Sequence, residues 1–138
     1  MFLIDTNVIS EARKGARAHP GVTDFFRTCR DRSERVYLSV VTIGELRRGV
    51  DLIRYRGDLQ QAERLEHWLQ TVVEDYRDHI LPFDLDTAQL WGRLGVPHPE
   101  NAIDRQIAAT AVIHDLTLVT RNTADVAGTG VRWLNPFI

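Results

Sequence analysis

The sequence predicts an α/β fold in which a central parallel sheet is flanked by helices. Short apolar runs of strand length alternate along the chain with longer segments whose apolar residues recur at helical spacing. Most strands are therefore followed by a helix rather than by a tight hairpin turn. Strands joined through helices pair in parallel, and the helices cover both faces of the sheet. The expected architecture is a three-layer sandwich.

Length and composition are those of one globular domain spanning residues 1–138. The chain is 43% hydrophobic and 26% charged, which is ordinary for a folded domain. No apolar run approaches the ~18 residues of a membrane span, and no signal peptide is evident because Asp5 interrupts the N-terminal apolar run. The single Cys29 excludes an internal disulfide and a cysteine-based zinc site. We expect a cytoplasmic protein without a membrane segment.

The first half of the chain alternates two strands with four helical segments. In chain order we predict a strand at residues 2–4, a helix carrying Val8, Ile9 and Ala12, a Gly- and Pro-containing loop at 14–21, a helix carrying Val22, Phe25, Phe26 and Cys29, a charged connector at 30–35 and a strand at 36–40. Two amphipathic helices follow at residues 42–56 and 58–76, separated by Gly57. Their apolar stripes predict a helical hairpin.

The second half contains three further strands. We predict a strand at residues 80–83, a helix through Leu94 that is capped by Asp84 or Asp86, a loop with two prolines at 95–101, an alanine-rich helix at 103–114, a strand at 116–120, a short helix at 123–126 and a last strand at 131–134. These elements complete a parallel sheet.

The positive charge of this chain is almost entirely arginine. Lys14 is the only lysine among 17 basic residues, and the net charge is −2. A chain of this net charge does not coat nucleic acid by bulk electrostatics. The excess of arginine is typical of a GC-rich genome, although arginine also suits phosphate binding. The composition is therefore compatible with RNA binding without establishing it.

Four acidic residues lie where a predicted strand gives way to a helix, or in the first turns of a helix: Asp5, Glu45, Asp104 and Asp125. The carboxyl ends of parallel strands meet at one edge of the sheet, where such folds bind ligands. Four carboxylates at one edge provide hard oxygen ligands for a divalent cation. We therefore expect candidate phosphodiester chemistry there.

Helix capping is the alternative explanation for each acid. Asp5 and Asp125 are placed to cap short helices, Thr42 and Glu45 match a capping box, and Asp104 lies in a first helical turn. Other polar residues are available for the same role, namely Thr6, Asn7, Ser39, Thr42, Asn101 and Asn122. Two carboxylates ~4 Å apart repel by about 4 kcal/mol at an effective dielectric of 20. A cation that neutralises them explains the set better than capping does, and Asp125 is its weakest member.

Several local sequences then resemble a known family. The strings F-L-I-D-T-N-V-I-S, T-I-G-E-L-R-R-G, I-D-R-Q-I-A-A-T-A, T-R-N-T-A-D and V-R-W-L-N-P-F, in this order, resemble a PIN-domain ribonuclease of the VapC toxin family, in particular its FitB-like branch. The resemblance covers essentially the whole chain. One departure is the short segment at residues 92–103, which is expected to shorten the helix before Asp104 and to alter the rim of the groove.

The resemblance implies a toxin of a type II toxin–antitoxin pair that cleaves structured RNA, such as tRNA or ribosomal RNA. It implies that Asp5, Glu45, Asp104 and Asp125 are catalytic and hold Mg²⁺ or Mn²⁺. Thr6, Asn7, Thr120 and Asn122 are implied as supporting polar residues. It also implies a VapB-type antitoxin as partner and a homodimer. A housekeeping RNA-processing PIN nuclease without an antitoxin and a non-catalytic RNA- or protein-binding PIN module remain the alternatives.

Other chemistries lack their residues. There is no G-x-x-x-x-G-K sequence for a P-loop, and no histidine pair at zinc-ligand spacing. Phosphatases and receiver domains that place an aspartate at a strand end need a distant lysine. Lys14, nine residues after Asp5, cannot supply it.

Overall fold

The computed structural model describes residues 1–138 and contains one sheet of five parallel strands. The strands are β1 (Phe2–Ile4), β2 (Val36–Ser39), β3 (Ile80–Leu81), β4 (Thr117–Val119) and β5 (Trp133–Leu134), in the spatial order β3-β2-β1-β4-β5. β1 pairs in parallel with both β2 and β4. The predicted parallel sheet is confirmed, and its three central strands are those that the acidic residues follow or flank.

Seven helices surround this sheet: α1 (Thr6–Ala12), α2 (Pro20–Asp31), α3 (Val40–Tyr55), α4 (Leu59–Asp75), α5 (Leu85–Leu94), α6 (Ala102–Ile113) and α7 (Thr123–Val126). Short 3₁₀ turns lie at Gly15–Arg17 and Arg77–His79. α3 and α4 pack against each other along their length, which confirms the predicted helical hairpin. None of the helices is both long and apolar enough to cross a membrane.

The sheet has a hydrophobic core on each face. In β1, Ile4 packs with residues of α1 to α4, whereas Leu3 points the other way and packs with α6. Leu118 and Val119 of β4 divide between the same two cores. This alternation follows from the two-residue period of a strand, and it requires helices on both faces. The predicted three-layer sandwich is thereby confirmed.

α2 is longer than the sequence pattern predicted. The expected loop at 14–21 ends early because Pro20 occupies the first turn of α2, where proline needs no N–H partner, and the His19 ring accepts a hydrogen bond from the Gly21 N–H. The helix then runs to Asp31, into the segment predicted as a charged connector. The charges at 30–31 lie on an exposed helical turn.

Four strands, β2, β3, β4 and β5, are shorter than predicted, and β4 is limited to Thr117–Val119. Val40 starts α3 because the Ser39 hydroxyl accepts a hydrogen bond from the Val41 N–H and caps the helix. β3 stops at Leu81, before Pro82, which cannot donate to a ladder. β5 pairs only at Trp133–Leu134. The predicted loop at 95–101 is present, and α5 ends at Leu94.

Candidate active site

The candidate site lies at the carboxyl edge of β2, β1 and β4, the three adjacent central strands. Asp5 follows β1 directly, and Thr120 follows β4. Glu45 lies in the second turn of α3, which begins where β2 ends, while Asp104 and Asp125 lie in the first turns of α6 and α7. The fold therefore brings the two ends of the chain to one edge.

Asp5 is the most buried member of the site, with only 2% of its surface exposed. Its Oδ1 accepts a hydrogen bond from the Thr6 N–H at 2.7 Å, so Asp5 is itself the N-cap of α1. The sequence interpretation that Thr6 or Asn7 caps this helix and leaves Asp5 surplus was wrong. Asp5 Oδ2 accepts from the Thr120 hydroxyl at 2.7 Å and faces the Asn7 amide at 3.3 Å. The carboxylate is fixed on both oxygens.

The predicted supporting residues form one network around Asp5. The Thr120 hydroxyl accepts the Asn122 N–H at 2.9 Å while it donates to Asp5. Asn7 Oδ1 accepts the Arg121 N–H at 3.0 Å. The loop after β4 is therefore tied to the start of α1 by side-chain hydrogen bonds, and the buried carboxylate lies between them.

Glu45 joins the site through Thr6. The Thr6 hydroxyl donates to Glu45 Oε1 at 2.6 Å and also lies 3.2 Å from the hydroxyl oxygen of Thr42. The predicted capping box of Thr42 and Glu45 was wrong, because Ser39 caps α3 and Glu45 is past its first turn. Thr42 was missed as a member of the site, although its position one turn before Glu45 would have indicated it.

Asp104 and Asp125 do not act as N-caps. Asn101 and Asn122 occupy the N-cap positions, as expected, although neither makes a side-chain capping hydrogen bond. Asp104 and Asp125 are both half-buried in first helical turns, where the helix dipole favours negative charge.

The pKa values of Asp104 and Asp5 reflect the neighbouring acids as well as burial. Burial raises the pKa of Asp104 to about 6, together with the charges of Asp5, Asp125 and Glu45. Burial also raises the pKa of Asp5, and the hydrogen bonds from Thr120 and the Thr6 N–H oppose that rise. Two carboxyl groups with raised pKa values at one sheet edge are an arrangement that folding alone does not favour.

The donor set fits a hard divalent cation. None of the four acids forms an ion pair with a basic side chain, so no cation of the protein contacts this cluster directly. As the side chains stand, no three acidic, histidine or cysteine groups converge closely enough to enclose an ion. Carboxylates held by threonine and asparagine are ligands of the kind that Mg²⁺ takes while it keeps several waters.

The rim of the site near Asp104 is set by its neighbour in α6. The Arg105 guanidinium donates to the carbonyl oxygens of Leu94 and His98, the first at 2.7 Å. The Trp91 indole N–H donates to the Ala102 carbonyl at 3.1 Å. Hydrogen bonds between α5, α6 and the loop that joins them therefore hold the short segment at 92–103 in place, which sequence patterns did not predict.

Two curated proteins are similar over the full chain. The toxin FitB of Neisseria gonorrhoeae is 36% identical over 144 residues, covering 99% of this chain and 99% of that protein. The VapC ribonuclease Y4jK of Sinorhizobium fredii is 32% identical over 145 residues, covering 99% of this chain and 98% of that protein.

Solved structures agree with this similarity. The crystal structure of FitAcB from Neisseria gonorrhoeae superposes with a TM-score of 0.82 at 33% identity, covering 99% of both chains. A toxin–antitoxin complex from Klebsiella pneumoniae superposes with a TM-score of 0.67 at 25% identity, covering 99% of this chain and 98% of that one. The sequence model of the PIN domain family matches residues 2–126 of this chain, a range that includes all four acidic residues. The chain belongs to the PIN domain family.

Proposed function

We propose that the protein is a metal-dependent endoribonuclease and the toxin component of a type II toxin–antitoxin system. The observation that carries the proposal is the acidic edge without ion pairs, where burial and the charges of Asp5, Asp125 and Glu45 raise the pKa of Asp104 to about 6. A binding module has no need for mutually repelling carboxylates. Phosphodiester hydrolysis by a bound divalent cation does need such ligands.

Asp5, Glu45 and Asp104 are the residues proposed to hold Mg²⁺ or Mn²⁺, with Asp125 assisting directly or through water. A bound ion of this kind acidifies a coordinated water and polarises a phosphoryl oxygen. The proposed ligands differ in rigidity, because Asp5 is fixed by Thr6, Asn7 and Thr120. Asp5 is therefore the buried and fixed member of the proposed ligand set.

The protein's own residues then orient the reactants. Thr6 holds Glu45 through a 2.6 Å hydrogen bond and thereby couples α1 to α3. The half-buried Asp125 would accept the proton of the attacking water as its oxygen bonds to phosphorus, while the P–O bond to the leaving nucleotide breaks and the leaving oxygen takes a proton from solvent. The threonine and asparagine residues position the carboxylates and add no charge to the site.

The similarity to FitB and Y4jK supports the toxin assignment, because these proteins are named as a toxin and a VapC ribonuclease. The similarity to a toxin–antitoxin complex supports a VapB-type antitoxin as partner. Structured RNA, such as tRNA or ribosomal RNA, is the proposed substrate, and a homodimer is the proposed form. A small antitoxin gene beside this one would separate the toxin from a housekeeping PIN nuclease.

The test is RNA cleavage by the purified protein with Mg²⁺, with Mn²⁺ and with a chelator. We expect cleavage only with a divalent ion, and a loss of at least about a hundredfold in Asp104→Asn, as is common when a group active at the reacting centre is removed. The matched control is Glu74→Gln, which removes one exposed acid that forms no ion pair. Undiminished cleavage by Asp104→Asn contradicts the assignment, and RNA binding without any cleavage favours the non-catalytic module.

A further inference from the structure

Arg121 lies next to the acidic site, in the loop between β4 and α7. Thr120, the residue before it, donates a hydrogen bond to Asp5. The Arg121 N–H donates to Asn7 Oδ1 at 3.0 Å. The backbone of Arg121 is therefore fixed by the same network that fixes the buried carboxylate.

The Arg121 side chain stacks on an aromatic ring instead of pairing with an acid. Its guanidinium carbon lies 3.7 Å from the centroid of the Phe137 ring, which is close cation–π geometry. The charge of Arg121 helps to lower the pKa of Glu11, but the two form no ion pair. The two carboxylate oxygens of Glu11 instead accept hydrogen bonds from Lys14 Nζ and the His19 N–H, each at 2.9 Å. Because the N–H groups of a guanidinium lie in its plane, stacking on one face leaves all of them free to bind a ligand.

Phe137 belongs to the C-terminal segment, residues 135–138, and packing of this segment on α2 fixes its position. Pro136 is buried against α2, and its carbonyl oxygen would lie only 1.9 Å from a Cβ at position 21, so only glycine allows the contact. The Phe137 ring packs against the His19 ring at a centroid distance of 5.3 Å and against the core beneath α1 and α2. The surface under Arg121 is therefore preformed.

Three other basic side chains near the site have partners within the protein. Arg47 forms a bidentate pair with Glu66 at 2.7 Å for each bond, and Arg105 is bonded to backbone carbonyl oxygens. Lys14 pairs with Glu11. Arg48, one turn after Glu45, is exposed but makes no contact that would orient it. Arg121 has its backbone at this edge, and its guanidinium is oriented by Phe137 without an acidic partner.

We propose that Arg121 binds a phosphate of the RNA backbone adjacent to the acidic site, and that Phe137 is a positioning residue that holds its guanidinium there. The inference rests on the proposed function. Carboxylates repel a polyanion, and a fixed cation beside them helps to attract the RNA strand. A guanidinium edge matches two phosphate oxygens in a bidentate arrangement.

The experiment measures binding of a fluorescein-labelled RNA hairpin by anisotropy in an Asp104→Asn background, in which the RNA stays intact if the proposed function is right. Arg121→Ala is compared with Arg35→Ala, which removes the same charge from an exposed residue before β2, at the opposite edge of the sheet. We expect Arg121→Ala to weaken binding roughly tenfold, as for one charge-assisted contact. The slope of log Kd against log salt falls by about one, the signature of one phosphate contact.

A double-mutant cycle tests the role of Phe137. Phe137→Leu keeps an apolar side chain on the core but removes the aromatic face, so it weakens RNA binding when Arg121 is present. In the Arg121→Ala background the same change has no further effect on RNA affinity, whereas a purely structural role would weaken binding in both backgrounds. Thermal melts of each variant identify any that fail to fold, and Arg121→Ala alone then still decides the proposal.

The outcomes separate the two proposals. Cleavage by the wild type together with equal RNA affinity and salt slope for Arg121→Ala and Arg35→Ala overturns the role of Arg121 and leaves the nuclease standing. Selective loss in Arg121→Ala supports it. A wild-type protein that neither binds nor cleaves the hairpin or cellular RNA overturns both.

Discussion

Asp5 shows how one side chain serves both the fold and the site. Its Oδ1 caps α1, and its Oδ2 accepts the hydroxyl of Thr120 at the other end of the chain. These hydrogen bonds favour the charged form of the carboxylate and oppose the rise in pKa that burial causes. Asp104 lacks a comparable set of donors, and its pKa rises to about 6. The free-energy cost of keeping the acidic site ionised in the folded protein therefore falls mainly on Asp104.

That cost predicts a pH-dependent effect of Asp104→Asn on the stability of the metal-free protein. The folded pKa of about 6 lies above the ordinary value of 3.8, so the folded state binds the proton more tightly and loses stability as pH rises from about 4 to 6. The amide carries no charge and escapes this loss. At pH 7 we expect Asp104→Asn to be more stable by on the order of 1 kcal/mol, after discounting for solvent screening.

The measurement is thermal unfolding in a chelator at pH 4 and pH 7. The gain in Asp104→Asn corresponds to about 3 °C at pH 7 for a chain of this size, and it vanishes at pH 4. Glu74→Gln serves as the matched loss of one acid and shows no such pH-dependent gain. Equal melting temperatures of Asp104→Asn and wild type at both pH values would mean that Asp104 is not destabilised by its neighbours.

At the scale of elements, the C-terminal segment is a packed part of the sandwich rather than a loose end. It lies on the first turn of α2, where a Cβ at position 21 would meet the Pro136 carbonyl oxygen at 1.9 Å. Gly21→Ala forces the backbone of one element away from the other. We expect a loss of about 1–3 kcal/mol, the usual cost of overpacking, seen as a melting temperature several degrees lower.

Gly49→Ala is the matched control for this prediction. Gly49 lies on the exposed face of α3, and a Cβ there meets nothing within 4 Å. Alanine is therefore expected to stabilise the helix by about 1 kcal/mol. The two substitutions are chemically the same and should move the melting temperature in opposite directions. A stabilised Gly21→Ala protein would show that the segment does not pack on α2 in solution.

The order of the elements was predictable from sequence because each strand and helix has its own local period. The placement of Asp5 and Asp104 at one edge followed from the parallel connection alone. Helix ends were less predictable, since the N-terminal extension of α2 depends on one proline and one histidine ring. The contacts of Arg121 with Phe137 and of Gly21 with Pro136 were not predictable at all, because they join distant residues without any periodic pattern.

At the scale of the whole molecule, the acidic site joins segments from both ends of the chain. β1 and β4 bring Asp5 and Thr120 together, and α3, α6 and α7 contribute the remaining acids. Such a set exists only in the folded state, so an ion that binds it stabilises the entire fold rather than one element. Ion binding and unfolding are therefore expected to be linked.

Divalent ions should accordingly raise the melting temperature of the wild-type protein. At a free ion concentration a hundredfold above Kd the gain is about 2.7 kcal/mol, or about 8 °C for this chain length. The gain shrinks towards pH 4, because protons compete for carboxyl groups whose pKa values are raised. Scanning calorimetry with Mg²⁺ or Mn²⁺, against NaCl at equal ionic strength, measures it. A rise of the same size with NaCl, or in Asp104→Asn, would show that the ions act by general screening and not at the acidic site.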